Sequence, residues 1–359
     1  MQDTEEKIKV GISIGDLNGI GGEVALKTFE DPRMLDFCTP VIFASNKTIT
    51  SLKNQFDLRL KFHGIPDAAQ ALEGKVNVVN VWKDTPEIEF GKPTPEAGKY
   101  AIRSLKAAVA SLKKGTVDIL VTAPINKKTV QSEEFKFPGH TDYLARELGG
   151  QSLMFMVTDT LKVGLVTDHV PVSEAPSLIT EKRVVEKIRA MEDSLVRDFA
   201  ISKPKIAVLG INPHSGDEGV IGREDEEVLK PTLRKLVEGQ HLVFGPYAAD
   251  TFFASDTYLN FDGVLACYHD QGLIPFKTLS FGKGVNFTAG LSRVRTSPDH
   301  GTAYDIAGKG EANPDSFKEA VFMGIRIFRN RTEFEELSKN PLKKHKLKRS
   351  GKGGGKQGK

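Results

Sequence analysis

An α/β fold is predicted, two α/β/α units on a mostly parallel sheet, and three observations carry the prediction. Short apolar runs alternate with amphipathic stretches along the chain, the pattern of parallel strands joined by crossover helices. At 359 residues the chain exceeds what one hydrophobic core usually organises, which favours two domains. With 39% apolar and 27% charged residues, it can build sizeable cores and lacks the bias of a disordered or fibrous protein.

In chain order, KVGISI (9–14), PVIFAS (40–45), KVNVVNV (75–81), DILVTA (118–123), SLMFMVT (152–158), KVGLVT (162–167), KIAVLGI (205–211) and GVLACY (263–268) read as strands. After the first, GDLNGIGGE (15–23) fits neither G-x-G-x-x-G nor G-x-x-x-x-G-K-[ST]. It reads as a tight strand-to-helix turn that lets another backbone or a ligand approach closely. Thr94 caps a helix with Pro95 at its first position; Ala101, Leu105, Ala108 and Leu112 line one face, and Gly115 ends it. PGHTDYLARELGG (138–150) is a helix entered through His140 and Thr141 and stopped at Gly149. Ser316 with Glu319 forms a capping box before FKEAVFMGIRIF. The FKFPGH stretch (135–140) marks the best seam, with a return near 298–301. The units are then 1–137 with 300–340, and 138–299.

The whole-chain charge of +3 is misleading. Residues 341–359 hold eight Lys or Arg and no acid, a disordered basic tail, and the rest is net negative. A nucleic-acid partner, which needs a basic body, is not expected. Cys38 and Cys267 form no CxxC pair, so neither a disulfide framework nor a thiolate zinc site is expected. Cys267 reads as a small buried hydrophobe. An acidic start and the lack of any membrane-length apolar run point to a cytoplasmic protein without a membrane partner.

Three of the eight histidines share a topological position. His169, His214 and His269 each lie just beyond the C-terminal end of a predicted strand, the edge where open α/β sheets bind ligands. Neutral imidazoles suit Zn²⁺ and similar ions, and three protein ligands leave a coordination position open. The bland alternative is three unrelated loop histidines. Downstream, YHDQGLIPFK (268–277) places Asp270 beside His269 and Lys277 beyond a Pro-containing turn. Lys277, Asn286 and either Arg293 or Arg295 can grip a phosphate or carboxylate; the alternative is that each is a solvated surface charge. The free N–H groups of the helix beginning at His140 and Thr141 favour an anion too, although Thr141 as a pure structural cap needs no function. Asp250 gains no role from spacing.

Taken together, DILVTAPINK, FPGHTDYLA, GINPHSGDEGVIGREDE, ADTFF, YHDQGLIPFK and GKGVNFTAGLSRVRTSPDHGTAYDIAGKG resemble the motif series of the 4-hydroxythreonine-4-phosphate dehydrogenase family over roughly residues 8–330. The resemblance implies NAD(P)-dependent oxidation of 4-phosphooxy-L-threonine to 2-amino-3-oxo-4-phosphooxybutanoate, which decarboxylates to 3-amino-2-oxopropyl phosphate in pyridoxal 5′-phosphate biosynthesis. It also implies an isocitrate/isopropylmalate dehydrogenase-like fold with an interdomain site, and one divalent ion (Zn, Mg or Co) held by His169, His214 and His269 across a homodimer. The substrate positions fall on His140, Thr141, Lys277, Asn286 and Arg295, which selects Arg295 over Arg293. Asp250 and Asp270 match acidic positions near the metal, and Lys277 or Asp250 is the candidate base. DHGTAYDIAGKGEANPDSF is similar to the adenosine loop of isopropylmalate dehydrogenases, implying cofactor contacts at His300, Asp305 and Asn313. An aspartate at 305 favours NAD over NADP, since a carboxylate repels a 2′-phosphate. The chain departs from the family at residues 13–21, where SIGDLNGIG lacks the two prolines often found there. Alternatives are oxidation of threonate or erythronate 4-phosphate, an acyl-phosphate transferase of similar fold, and a non-enzymatic binding protein.

Overall fold

The computed structural model describes residues 6–133, 135–137, 139–150 and 152–340. The basic segment 341–359 lies outside the described residues, as does Pro138, where the second unit was expected to begin. No helix among the described residues is long and apolar enough to cross a membrane.

Twelve strands form one sheet: β1 Lys9–Ser13, β2 Thr39–Ala44, β3 Phe62–Ile65, β4 Val76–Asn80, β5 Ile119–Thr122, β6 Leu153–Val157, β7 Lys162–Leu165, β8 Ile206–Leu209, β9 Val243–Tyr247, β10 Gly263–Ala266, β11 Val285–Ala289 and β12 Val294–Pro298. Their order is β3-β4-β2-β1-β5-β12-β11-β6-β7-β10-β8-β9. Every apolar run read as a strand is one. Both faces carry helices, so strands such as β1, β2, β5 and β10 are buried almost end to end, which is why they read as continuous apolar runs. Pairing is parallel except at the centre, where β11 runs antiparallel to β12 and β6, and β6 antiparallel to β7. Hydrogen bonding passes without a break from β5 through β12 to β11. The α/β architecture with a mostly parallel sheet is therefore as expected.

The helix Pro95–Lys114 follows its sequence signals. Thr94 Oγ1 accepts the Ala97 N–H at 3.2 Å, Gly115 ends the helix at φ +74°, and the predicted apolar face is fully buried. The final helix, Asp315–Ser338, corrects an expectation: Ser316 and Glu319 form no capping box, because Ser316 is already inside the helix. Its hydroxyl donates to the Gly284 carbonyl and accepts from the Asp299 amide, both at 3.0 Å, and so ties strand ends rather than its own helix. Asn313 Oδ1 accepts the Asp315 N–H instead, at 2.8 Å. Further along this helix, buried Arg331 pairs with fully buried Asp198 at 2.5 Å. A pair of this kind is costly to break, since removing one partner strands the other charge.

The Gly-rich turn is a backbone clasp. The Asp16 N–H donates to the Pro124 carbonyl at 2.9 Å and the Ile20 N–H to the Thr302 carbonyl at 3.0 Å. Gly15 has φ +74°, and a Cβ there would stand 2.4 Å from the Pro124 oxygen. Glycine is required on both counts.

Candidate functional site

A cavity of about 540 Å³ opens over the antiparallel centre of the sheet. Thr122 (β5), Met154 (β6), Asn286 (β11), and Arg295 and Ser297 (β12) line it from the strands. His140 and Thr141 line it from the start of the helix His140–Leu148. Asp168 and His169, just after β7, complete one side, and His300 with Gly301 another.

Arg295 dominates the electrostatics. It is 2% exposed, and among the described residues its guanidinium donates only to the hydroxyls of Thr122 and Thr288, at 2.6–3.1 Å. No carboxylate pairs with it among the described residues, and burial pulls its pKa down to about 9. A buried, unpaired guanidinium is expensive unless an anion joins it. Beside it, His140 Nε2 is enclosed with no hydrogen-bond partner among the described residues. Burial, then the charges of Arg295 and Lys127, hold that imidazole's pKa well below its usual value, so it is neutral near pH 7. Gly139 precedes this helix without any side-chain cap. The reading of Thr141 as a mere structural cap is therefore corrected, and the first-turn N–H groups stay available for an anion.

Lys127, Arg183 and Lys187 also line the cavity, against carboxylates from Asp142 and Asp168 alone. Lys187 Nζ donates to the Ser152 carbonyl at 3.1 Å, and burial lowers its pKa. Sequence reasoning missed these three cations. Lys127 stands beyond the C-terminal end of β5, the position rule already applied to the histidines. Arg183 and Lys187, four apart on the helix Glu181–Arg197, look like an ordinary solvated helix face.

His169 also borders a smaller depression of about 240 Å³ that contains His269 and Asp270. The two imidazole centroids lie 5.5 Å apart, and two rings on one tetrahedral ion would stand about 5 Å apart. His269 Nδ1 bonds to Asp270 Oδ1 at 2.7 Å, the outer-shell contact that orients a ligating imidazole and leaves Nε2 free. Burial lowers the pKa of His169 and keeps it a neutral donor. The donor chemistry thus fits a divalent ion, yet it is incomplete within one chain: among the described residues no three His, Cys, Asp or Glu side chains are grouped to hold a metal. His214 is exposed on the turn after β8.

Several other predicted residues stand apart from the cavity wall. Lys277 lies inside the helix His269–Ser280, which runs through Pro275 in place of the expected turn. It pairs with Asp299 Oδ1 at 3.2 Å. Asp250 is exposed in the first turn of the helix Ala249–Ala254. Asp305 is exposed, and Asn313 is engaged at the final helix. His300, assigned by resemblance to the cofactor, shares the cavity with His140 and likewise has an enclosed, unpartnered Nε2. Cys267 is fully buried, as expected, and its thiol donates to the Leu209 carbonyl at 3.1 Å.

A family model described as pyridoxal phosphate biosynthetic protein PdxA matches residues 36–324. The chain belongs to that family. Among its PdxA relatives, a 4-hydroxythreonine-4-phosphate dehydrogenase from Bacteroides thetaiotaomicron is 48% identical over 342 residues, covering 95% of this chain and 94% of the relative. The crystal structure of the enzyme of that name from Klebsiella pneumoniae superposes with TM-score 0.78 at 30% identity, covering 91% of this chain and 99% of the other. A terephthalate 1,2-cis-dihydrodiol dehydrogenase from Burkholderia xenovorans aligns with TM-score 0.58 at 26% identity, covering 89% and 98%. The PdxA scaffold is thus shared with a dehydrogenase named for a cis-dihydrodiol.

Proposed function

We propose that this PdxA member is a 4-hydroxythreonine-4-phosphate dehydrogenase, which oxidises the C3 hydroxyl of 4-phosphooxy-L-threonine and passes hydride to NAD, or to NADP. The β-keto acid formed, 2-amino-3-oxo-4-phosphooxybutanoate, loses CO₂ to give 3-amino-2-oxopropyl phosphate, a precursor in pyridoxal 5′-phosphate biosynthesis. The names of the relatives support the activity. One observation carries the substrate class: the buried Arg295 guanidinium, without a carboxylate partner, lines a cavity beside the orphan nitrogen of His140.

Arg295, Asn286, Thr141 and His140 anchor the phosphate and carboxylate, so that remote binding aligns the hydroxyl for hydride transfer. Lys277 joins them by exchanging Asp299 for the substrate. Asp142 and Asp168 give the cavity carboxylates for a substrate ammonium, which favours the amino acid over threonate or erythronate 4-phosphate. Lys277 and Asp250 are the candidates for the base that takes the hydroxyl proton. Zn²⁺, Mg²⁺ or Co²⁺ at His169 and His269, with His214 of a second copy, would supply Lewis-acid polarisation of the oxygen being oxidised. A homodimer is supported by exposed apolar residues near these histidines in sequence: Val220, Ile221, Ile274 and Phe281. His300, Asp305 and Asn313 are assigned to the cofactor, with Asp305 favouring NAD. The cleft then lies between residues 1–137 with 300–340 and residues 138–299.

The test is NADH formation from 4-phosphooxy-L-threonine, before chelation, after it, and after adding back single divalent ions. Loss and recovery with the ion is expected, with threonate 4-phosphate the poorer substrate. Turnover surviving exhaustive chelation overturns the metal assignment, and faster oxidation of threonate 4-phosphate overturns the amino-acid one.

A further inference from the structure

His214 begins a run of backbone that L-amino acids avoid. From His214 to Glu218 all five residues have positive φ, at 53°, 53°, 84°, 44° and 54°, and only Gly216 accepts this without steric penalty. Consecutive left-handed residues persist only where their surroundings impose them, and such strain gathers at functional sites. Here the imposing group is Asp225, a fully buried carboxylate with no cationic partner among the described residues. Its Oδ1 accepts the Ile211 N–H at 2.8 Å, and its Oδ2 accepts the Asn212 N–H and Nδ2–H, both at 3.0 Å. Asn212 Nδ2 also donates to Glu224 Oε2 at 2.8 Å. The chain entering the turn is therefore clamped at the two residues before Pro213. The far side is held as well: the Ile221 N–H returns to the Gly216 carbonyl at 3.0 Å, and a Cβ on Gly216 would meet the Gly222 oxygen at 2.8 Å. Asp225 itself opens a π-helical turn, Asp225–Leu229, an irregularity common beside functional sites.

We propose that Asp225 is a positioning residue: its buried carboxylate holds the left-handed turn that presents the His214 imidazole outward, in the orientation needed to complete the ion site of a second copy. The role in ion binding rests on the reading of His214 as a metal donor; the role in holding the turn does not. Asp225→Asn keeps the shape and one acceptor but replaces the other with a donor facing donors. Asn212→Ala, a milder variant, removes one of the three clamping bonds.

The test combines equilibrium Zn²⁺ binding to the full-length protein with NMR of histidine rings labelled at ¹³Cε1, the His214 signal being identified by its loss in His214→Ala. Asp225→Asn is expected to move and sharpen the His214 signal, leave that of His140 in place, and raise the Zn²⁺ dissociation constant about 10–100-fold, the usual scale for groups that orient ligands. Asn212→Ala shifts both in the same direction by less, and adding Asp225→Asn to His214→Ala weakens Zn²⁺ no further. An unmoved His214 signal in the folded variants, or additive losses with His214→Ala, overturns the proposal; if Asp225→Asn does not fold, Asn212→Ala decides. A moved signal with Zn²⁺ affinity unchanged in both Asp225→Asn and His214→Ala supports the clamp on the turn and overturns the ion reading alone.

Discussion

The cation-lined cavity and the histidine ledge beside it are built to different degrees. The cavity wall is assembled inside one chain: Arg295 and Asn286 sit on central strands, fixed by ladder pairing and by the Thr122 and Thr288 hydroxyls. On the ledge, two imidazoles stand side by side with a bonded aspartate, while the third sits elsewhere on an exposed turn. A charge buried in a sheet needs rigid strands around it, whereas an imidazole on a loop can wait for its geometry to be completed. On the proposed reading, anion recognition belongs to the single chain and ion binding to the assembly.

The sharpest way to break this comparison is Arg295→Met. It removes the buried positive charge that, on the proposed reading, the phosphorylated substrate neutralises, and we expect kcat/KM to fall by about 10²–10⁴, in line with about 3–5 kcal/mol for one partner of a buried pair. Thermal stability without substrate should hold or rise, because the unpaired charge is gone. A loss under tenfold would remove the arginine from the anion site.

Next in size is the ledge. His269→Ala should weaken Zn²⁺ binding about tenfold or more while leaving the affinity for inorganic phosphate within twofold, read by calorimetry. Linked losses of both would merge the two regions into one site.

The smallest effect is on pH. Burial lowers the pKa of His140 and His300 in the folded protein, so folding binds these protons less tightly than the unfolded chain does. Their contribution to stability is complete above about pH 6.5, the unfolded value, and is lost as pH falls from there toward the folded values. His140→Gln should flatten the decline in melting temperature between pH 6.5 and 5; an unchanged slope would mean that the ring does not titrate as a buried group.

Much of the fold was legible because fully buried parallel strands are written as apolar runs. The four unread strands have plain reasons. β3 (FHGI) is short, and β9 (VFGPY) carries Gly-Pro; both sit at sheet edges, where burial does not demand a pure apolar run. In β11 (VNFTA) and β12 (VRTSP), Asn286, Arg295, Thr296 and Ser297 interrupt the apolar pattern. These residues put polar groups at the cavity or tie the strand to the final helix, so the site hid the strands that bear it. Motif resemblance named Arg295 and His140, but the missing carboxylate beside the first and the unpartnered Nε2 of the second, among the described residues, are properties of the folded environment. The left-handed course of residues 214–218 is equally invisible in GINPHSGDEG, since Ser215 and Glu218 are not residues that favour φ > 0 and His214 and Asp217 adopt it only in a minority of cases.

The clasp at Gly15 makes part of the cavity wall sensitive to a residue that does not itself line the cavity. Any side chain there would press on the carbonyl of Pro124, and the same short stretch of chain delivers Thr122, which steadies Arg295, and Lys127 to the cavity. A substitution at this remote glycine would therefore register in kinetics as poorer recognition of the anion, and a survey confined to ligand contacts would overlook its origin.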